Sequence, residues 1–459
     1  MKNNIKEVFF EKEQAKHTKA KLDILQEYVI PWMRKVVLNK YGSKSCGVID
    51  TFAGAGIYSD GSLGSPIILV KTAIEFIKQA EEKNFKINRI LLTFIEKDEK
   101  HYSQLKKSIE SVIEEELKDG ELSNCKKYPQ LFIAVENGTH ETFLKDLTAS
   151  VENMIPTVFF MDPFGFDLPF ELNKLILSKY SNVELLINFM YEEINRFIAV
   201  DSVKKKMGEL FGVKDMSSIT TKLGNASSEE RKQIIKGTYT DNLKKCGAKY
   251  TLDFDIRGER GQLKMSMIFV TKNLNGFDTM KEALDKISNT DRLEYIPATD
   301  IEESQIRLEG FEKKLDKSDE LSEYIYELEK GKTIQIDTLI NIVKEHPVIP
   351  SKYTKAALKK LNLEGKVERV FRRSGVPVRK NTFPDDAYIK FMCWLYYKFE
   401  RIVNQLGENN IPKILYEGQI SNYELMLISI LSNAGCDVVL LQYAGDQGYL
   451  KTDPGSVLS

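Results

Sequence analysis

Short, nearly unbroken apolar runs alternate with stretches of helical period through most of the chain. After a polar start, Leu22, Leu25, Tyr28, Val29, Trp32 and Val36 recur at helical spacing, which predicts an N-terminal helix over 21–38 with one face turned inward. The runs Gly47-Val48-Ile49-Asp50, Ile90 to Ile95, Leu131 to Val135, Thr157 to Met161 and Val183 to Phe189 are too apolar for strands wet on one side. Separated by helices, they predict a parallel sheet buried on both faces. Two further runs, Tyr250 to Ile256 and Leu263 to Val270, flank Arg257-Gly258-Glu259-Arg260-Gly261-Gln262, a loop that suits a hairpin. Five parallel strands followed by an antiparallel pair is the strand sequence of an α/β, Rossmann-like class I methyltransferase domain. It is expected over 41–295, behind a helical segment at 1–40. A dinucleotide-dependent dehydrogenase would not end in such a hairpin.

Beyond it, 296–332 reads as a charged helical linker. Residues 333–390 read as a winged-helix domain, with helices at Ile336 to Val343 and Tyr353 to Leu361 on either side of Pro347 and Pro350. Its two-stranded wing would be Lys366 to Phe371 and Pro377 to Arg379 around Ser374-Gly375. The tail, 391–459, gives an aromatic helix and then strand, helix, strand at Lys413 to Tyr416, Ser421 to Ser432 and Asp437 to Gln442. One such unit cannot bury both of its faces alone, so it packs on the rest or belongs to a truncated domain.

A chain of 459 residues, 42% of them hydrophobic, is long enough for two or three cores. Lys+Arg 66 against Asp+Glu 67 makes any nucleic-acid surface a local one. The basic stretch 352–380 is the candidate, since it opposes ten Lys and Arg only with Glu364 and Glu368. On a winged helix, Lys352, Lys355, Lys359, Lys360, Arg372 and Arg373 would line one face with phosphate-binding charge; a merely solvated face is the equal alternative. Five scattered cysteines and four dispersed histidines give no disulfide framework, no metal site and no hydrolytic triad. The charged start lacks the apolar core of a signal peptide, and no run approaches the ~20 apolar residues of a membrane span, so a cytoplasmic protein is expected.

Candidate chemistry gathers at the predicted strand ends. Asp50 closes the first run and leads into Thr51-Phe52-Ala53-Gly54-Ala55-Gly56. An acid there can fix polar groups of a ligand while Gly54 and Gly56 let the backbone approach it; the bland alternative is a tight turn with a solvated acid. Glu96 ends the second run, where an acid accepts ribose hydroxyls, unless it pairs with Lys97 or Lys100. The loop Ile57 to Gly64 intervenes before Ser65 (N-cap) and Pro66 open the next helix, which disfavours a pyrophosphate seated on that helix. A ligand without phosphates fits better. Asn137 ends the third run, where an amide could meet an adenine amino group or simply make a turn. The fourth ends in Asp162-Pro163-Phe164-Gly165, which is similar to the D-P-P-Y-like turn of amino-group methyltransferases and to the D-P-F-G turn of tRNA guanine-N2 methyltransferases. In such a turn the acid and the proline carbonyl hold the target amine and the aromatic ring stacks on its base, so catalysis rests on positioning and electrostatics. Asn188, Tyr191 and Glu192 fall on the opposite wall, or merely start a helix.

Several strings resemble the three-Cys-motif partner protein (TcmP) family. They are Phe9-Phe10-Glu11-Lys12 with His17-Thr18-Lys19-Ala20-Lys21; Ile49 to Gly56 with Tyr58, Gly61 and Gly64-Ser65-Pro66; Asp162 to Gly165; and Asn188 to Phe197. The resemblance implies an S-adenosylmethionine (SAM) methyltransferase-like fold in a bacterial or phage-borne protein that works beside a separate three-cysteine protein of the radical-SAM type. Residues 411–446 are similar to the start of a biosynthetic-module component found with tellurite-resistance genes. Together these readings lead to two expectations. The first is a SAM-dependent methyltransferase of an exocyclic amine of nucleic acid, with Asp50, Phe52, Gly54, Gly56, Glu96 and Asn137 holding the cofactor and Asp162, Pro163 and Phe164 presenting the amine. The second is a non-catalytic SAM-fold adaptor that docks the partner on nucleic acid.

Overall fold

A computed structural model describes residues 16–39, 42–258, 260–290, 293–297, 317–368, 411–417, 422–433 and 435–441. The N-terminal helix α1 (Lys16–Val37) leads into alternating strands and helices: β1 (Ser45–Asp50), α2 (Ser65–Glu82), β2 (Arg89–Glu96), α3 (Glu99–Ile113), β3 (Ser123–Asn124), β4 (Leu131–Asn137), α4 (His140–Ser150), β5 (Thr157–Met161), α5 (Phe170–Lys179) and β6 (Val183–Phe189). Helices α6 (Tyr191–Phe197), α7 (Lys204–Phe211), α8 (Ser217–Leu223) and α9 (Ser228–Lys245) follow. The hairpin β7 (Tyr250–Arg257) and β8 (Leu263–Thr271), helix α10 (Leu274–Ile287) and the short β9 (Glu294–Tyr295) complete the layer.

Among the described residues the sheet runs β3-β4-β2-β1-β5-β6-β8-β7-β9. Strands β4, β2, β1, β5 and β6 are mutually parallel, and β8 is antiparallel to β6 and to β7. The expected order of five parallel strands and a closing hairpin is therefore observed, extended by a two-residue strand at each edge. Every residue of β1, β5 and β6 is buried, which is why these runs carry no polar alternation. Tyr28, Ile67, Leu105 and Phe277, from α1, α2, α3 and α10, belong to the core on one face. Leu144, Ile176, Met207 and Tyr239, from α4, α5, α7 and α9, belong to the other. With β1 at the centre, the chain leaves it toward β2 on one side and reaches β5 on the other. Both neighbours end at the same edge, the crevice at which open α/β sheets bind ligands.

The stretch expected to be a linker, 296–332, is partly a packed element. Helix α11 (Ser318–Glu329) buries Leu321 and Ile325 against Leu339, Val343, Ile349, Ala357 and Leu361 of α12 (Ile336–Lys344), α13 (Thr354–Leu363) and the turn between them. Its apolar stripe is hidden in the sequence by the acids around it.

These three helices are fastened to α10 by charge. Buried Lys281 donates to the carbonyl oxygens of Lys344, His346 and Ile349 at 2.9, 2.8 and 3.0 Å. Asp278 accepts the Ser351 N–H and hydroxyl, and Asp285 meets Lys317, Lys352 and Tyr353. The chain divides into two compact units, 1–368 and 369–459, and α12 and α13 fall in the same unit as the sheet. Beyond residue 368 the expected wing, Arg372, Arg373 and the aromatic helix lie outside the described residues. In the second unit, β10 (Lys413–Glu417), α14 (Asn422–Asn433) and β11 (Asp437–Leu441) form a parallel strand-helix-strand unit in the expected place. Leu415, Val439 and Leu441 stay exposed on it.

Candidate functional site

The parallel register places every predicted ligand residue at one edge of the sheet. Asp50 ends β1 opposite Phe160 of β5, Glu96 ends β2 opposite Asn137 of β4, and Asp162 follows directly after β5. Asn188 lies near the end of β6.

Asp50 is fully buried. One carboxylate oxygen accepts the Phe52 N–H at 3.1 Å, while Oδ2 has no hydrogen-bond partner among the described residues. Burial pushes its pKa up to about 7; the Ser65 hydroxyl and the Phe52 N–H pull against that rise, and the Asp162 and Glu96 carboxylates add to it. A buried acceptor left without a donor costs about 1–3 kcal/mol, which a ligand cation would recover.

After Asp50 the chain turns through Gly54 and Gly56, both at positive φ, +66° and +82°. A Cβ on Gly56 would lie 3.0 Å from Leu105 Cδ1. Glu96 supports this turn with its own carboxylate: one oxygen accepts the Gly54 N–H at 2.9 Å and the other the Asp98 N–H at 2.7 Å. Each oxygen keeps a second lone pair for a ligand hydroxyl. The Asn137 amide donates to the Glu96 carbonyl at 3.1 Å, clasping β4 to β2. The Phe52 ring packs on His140, 4.4 Å between centroids.

The inserted loop Ile57 to Gly64 does not separate the glycine turn from the next helix. Ile57 pairs with Leu63, and the Gly64 N–H donates to the Gly56 carbonyl at 2.7 Å. The insertion is thus an excursion whose ends meet, and Gly56 sits against the start of α2. The helix cap is Gly64 rather than Ser65, and the Ser65 hydroxyl acts on Asp50.

Asp162 is held from two sides. Lys21 of α1 donates to Oδ2 at 2.6 Å, and the Asn188 amide donates to Oδ1 at 2.5 Å. Lys21 is buried, 141 positions away in sequence. Asn188 Oδ1 has no partner among the described residues. Pro163 is buried, whereas Phe164 is 43% exposed beside it. Gly165 turns the chain at φ +64°. His17, one helical turn before Lys21, has its pKa lowered by burial and by the Lys21 and Lys264 charges, against Asp162 and Glu192, so it faces the site neutral near pH 7. Tyr58, in the excursion, is pushed up by burial and by Asp162 and Asp50.

Sequence reasoning therefore assembled the acids and missed the cation. The signal for Lys21 was present: it shares a helix face with Leu25, Tyr28 and Trp32, and a charge on an apolar stripe needs a partner. Of the basic candidates described, Lys352 pairs with Asp285 at 2.5 Å and Lys360 with Asp319 at 2.7 Å. Lys355 and Lys359 are exposed on α13.

Among known proteins, the model of the YceG domain matches residues 272–459. No curated protein matches the sequence. Solved structures with similarity include Trm1 from Pyrococcus horikoshii in complex with S-adenosyl-L-methionine, at 14% identity and TM-score 0.31 over 58% of this chain; the match spans 58% of that protein's length. The O-methyltransferase TomG from Streptomyces achromogenes, in complex with SAM, is 11% identical at TM-score 0.28 over 59% of this chain and 96% of its own. A SAM-dependent methyltransferase from Agrobacterium tumefaciens is 10% identical at TM-score 0.26 over 53% of this chain and 61% of its own. The fold assignment rests on the strand order itself. No helix among the described residues is long and apolar enough to cross a membrane.

Proposed function

We propose that this chain is a SAM-dependent methyltransferase acting on an exocyclic amine of a nucleic acid, beside a three-cysteine partner protein of the radical-SAM type. The observation that carries the reading is the meeting of two corners at one sheet edge: the Asp50 to Gly56 turn, with a buried acceptor awaiting a donor, and the Asp162-Pro163-Phe164 turn on the adjacent strand. The residues fit SAM. Asp50 Oδ2 suits the ammonium of its amino-acid portion, Gly54 and Gly56 give it a floor without side chains, and Glu96 suits the ribose. SAM, when bound, supplies a methyl group on positively charged sulfur.

The chain's own part is to hold the acceptor. Asp162 and the Pro163 carbonyl accept the N–H groups of the amine, Phe164 stacks on its base, and the exposed Lys355 and Lys359 on α13 attract phosphates. The partner is supported by the TcmP-like strings, which include His17 to Lys21 and Asn188 to Phe197. At saturating SAM, Asp162→Asn is expected to lose at least a hundredfold in transfer of tritiated methyl to unmodified tRNA or DNA. Unchanged transfer removes Asp162 from the chemistry.

A second reading, a SAM-fold adaptor that docks the partner on nucleic acid, is favoured by one observation: Lys21 and Asn188 already occupy both oxygens of Asp162. It predicts nucleic-acid and partner binding with no methyl transfer by the wild-type protein.

A further inference from the structure

Asp50, Glu96 and Asp162 converge at the strand ends, and the Tyr58 phenol, kept protonated by burial and by Asp162 and Asp50, lies near them. Such a corner suits the sulfonium and the ammonium of SAM. Its carboxylates would repel the third charge, the α-carboxylate of the methionine portion. The structure supplies the missing cation from α1. Lys21 is 6% exposed, and its ammonium reaches Asp162 at 2.6 Å. A lysine ammonium has three donors, and among the described residues Asp162 takes one of them. The neighbouring cation Lys264 is tied to Glu192 at 3.5 Å, and the neighbouring His17 is held neutral.

We propose that Lys21 is a ligand-binding residue of this site, held in place by Asp162 and receiving the α-carboxylate of SAM while Asp50 receives the α-ammonium. The inference rests on the SAM reading above and assigns the amino-acid end of that ligand. It also gives the Asp162 ion pair a purpose: the acid that faces the acceptor amine holds the cation of the cofactor site in place. Lys21 acts through charge, so Arg should substitute in part and Met should not.

The test is calorimetric titration with two ligands that differ only at that end. S-adenosylhomocysteine keeps the amino-acid tail, and 5′-methylthioadenosine lacks it. Lys21→Met is expected to weaken S-adenosylhomocysteine at least tenfold and to leave methylthioadenosine within twofold, with Lys21→Arg intermediate. Because Lys21→Met strands Asp162 without its cation, the double variant Lys21→Met/Asp162→Asn, which removes both charges, is measured beside it and is expected to show the same selective loss. Unchanged S-adenosylhomocysteine affinity, or equal weakening of both ligands in the double variant, overturns the assignment of Lys21 while leaving the SAM reading standing. A folded wild-type protein that binds neither ligand overturns both.

Discussion

Two regions of this molecule bury charge, and they do so to opposite ends. Along α10, Asp278, Lys281 and Asp285 are nearly inaccessible, yet each is saturated: three carbonyls on the lysine, a backbone N–H and hydroxyl on one acid, two lysines and a tyrosine on the other. At the strand ends, Asp50 Oδ2 and Asn188 Oδ1 are just as buried and have no donor. A saturated buried charge is a fastener, whereas an unsatisfied buried polar atom is open to a ligand or a water molecule.

Replacing a fastener should cost most. Lys281→Met leaves three carbonyls and Asp278 buried without their cation, and a loss of about 3–5 kcal/mol is expected from breaking such a set. A denaturant melt would show it as a clear fall in midpoint; a negligible shift would mean that the α11 to α13 helices are not held through this seam.

Asp50→Asn should do the reverse. It removes a buried charge, so stability at pH 8 is expected to hold or rise. Affinity for S-adenosylhomocysteine should fall about tenfold or more, in line with about 1.5–3 kcal/mol for a hydrogen bond to a charged group. Parallel loss of stability and affinity would erase the distinction between the two regions.

The acidity of these groups sharpens the comparison further. Burial raises Asp50 to about 7, and it raises Glu184, which takes the Tyr28 hydroxyl and Thr271, to about 7 as well. An acid whose pKa is raised by folding binds more protons folded than unfolded between its two pKa values. Stability should therefore fall as pH rises from about 4 to about 7 and level off above. Melting temperatures across that range would show the slope, and Asp50→Asn should remove part of it while leaving the Glu184 part.

Much of this was legible beforehand, and the exceptions share a cause. The strands of the sheet announced themselves because β1, β5 and β6 are buried along their whole length, and the acids at strand ends could be placed by topology alone. That α11 packs rather than serving as a linker was not legible because Asp319, Glu320, Glu323, Glu327 and Glu329 crowd an apolar stripe of few residues. The excursion at Ile57 to Gly64 read as a separation because chain distance conceals that Gly56 and Gly64 touch. Lys21 belongs to Asp162 only through the packing of α1 on the sheet, a contact across 141 positions that periodicity cannot foresee. The basic stretch around α13 shrank for the same reason, since Lys352 and Lys360 found acids within the fold.

That leaves the smallest expected effect. Lys355→Ala with Lys359→Ala should leave the fold intact, weaken binding to nucleic acid by a few-fold, and reduce the salt dependence by about one phosphate contact per lysine. Fluorescence anisotropy over a salt series measures both. Lys352→Ala, by contrast, should register in stability through Asp285.

The most direct test of the account is calorimetric titration of the wild-type protein with S-adenosylhomocysteine at pH 6.5 in two buffers of different ionisation enthalpy. Because the ligand's ammonium favours ionised Asp50, single-site binding accompanied by proton release is the predicted result. Absence of binding heat in both buffers, with the protein folded by circular dichroism, would contradict a cofactor site at the Asp50 corner.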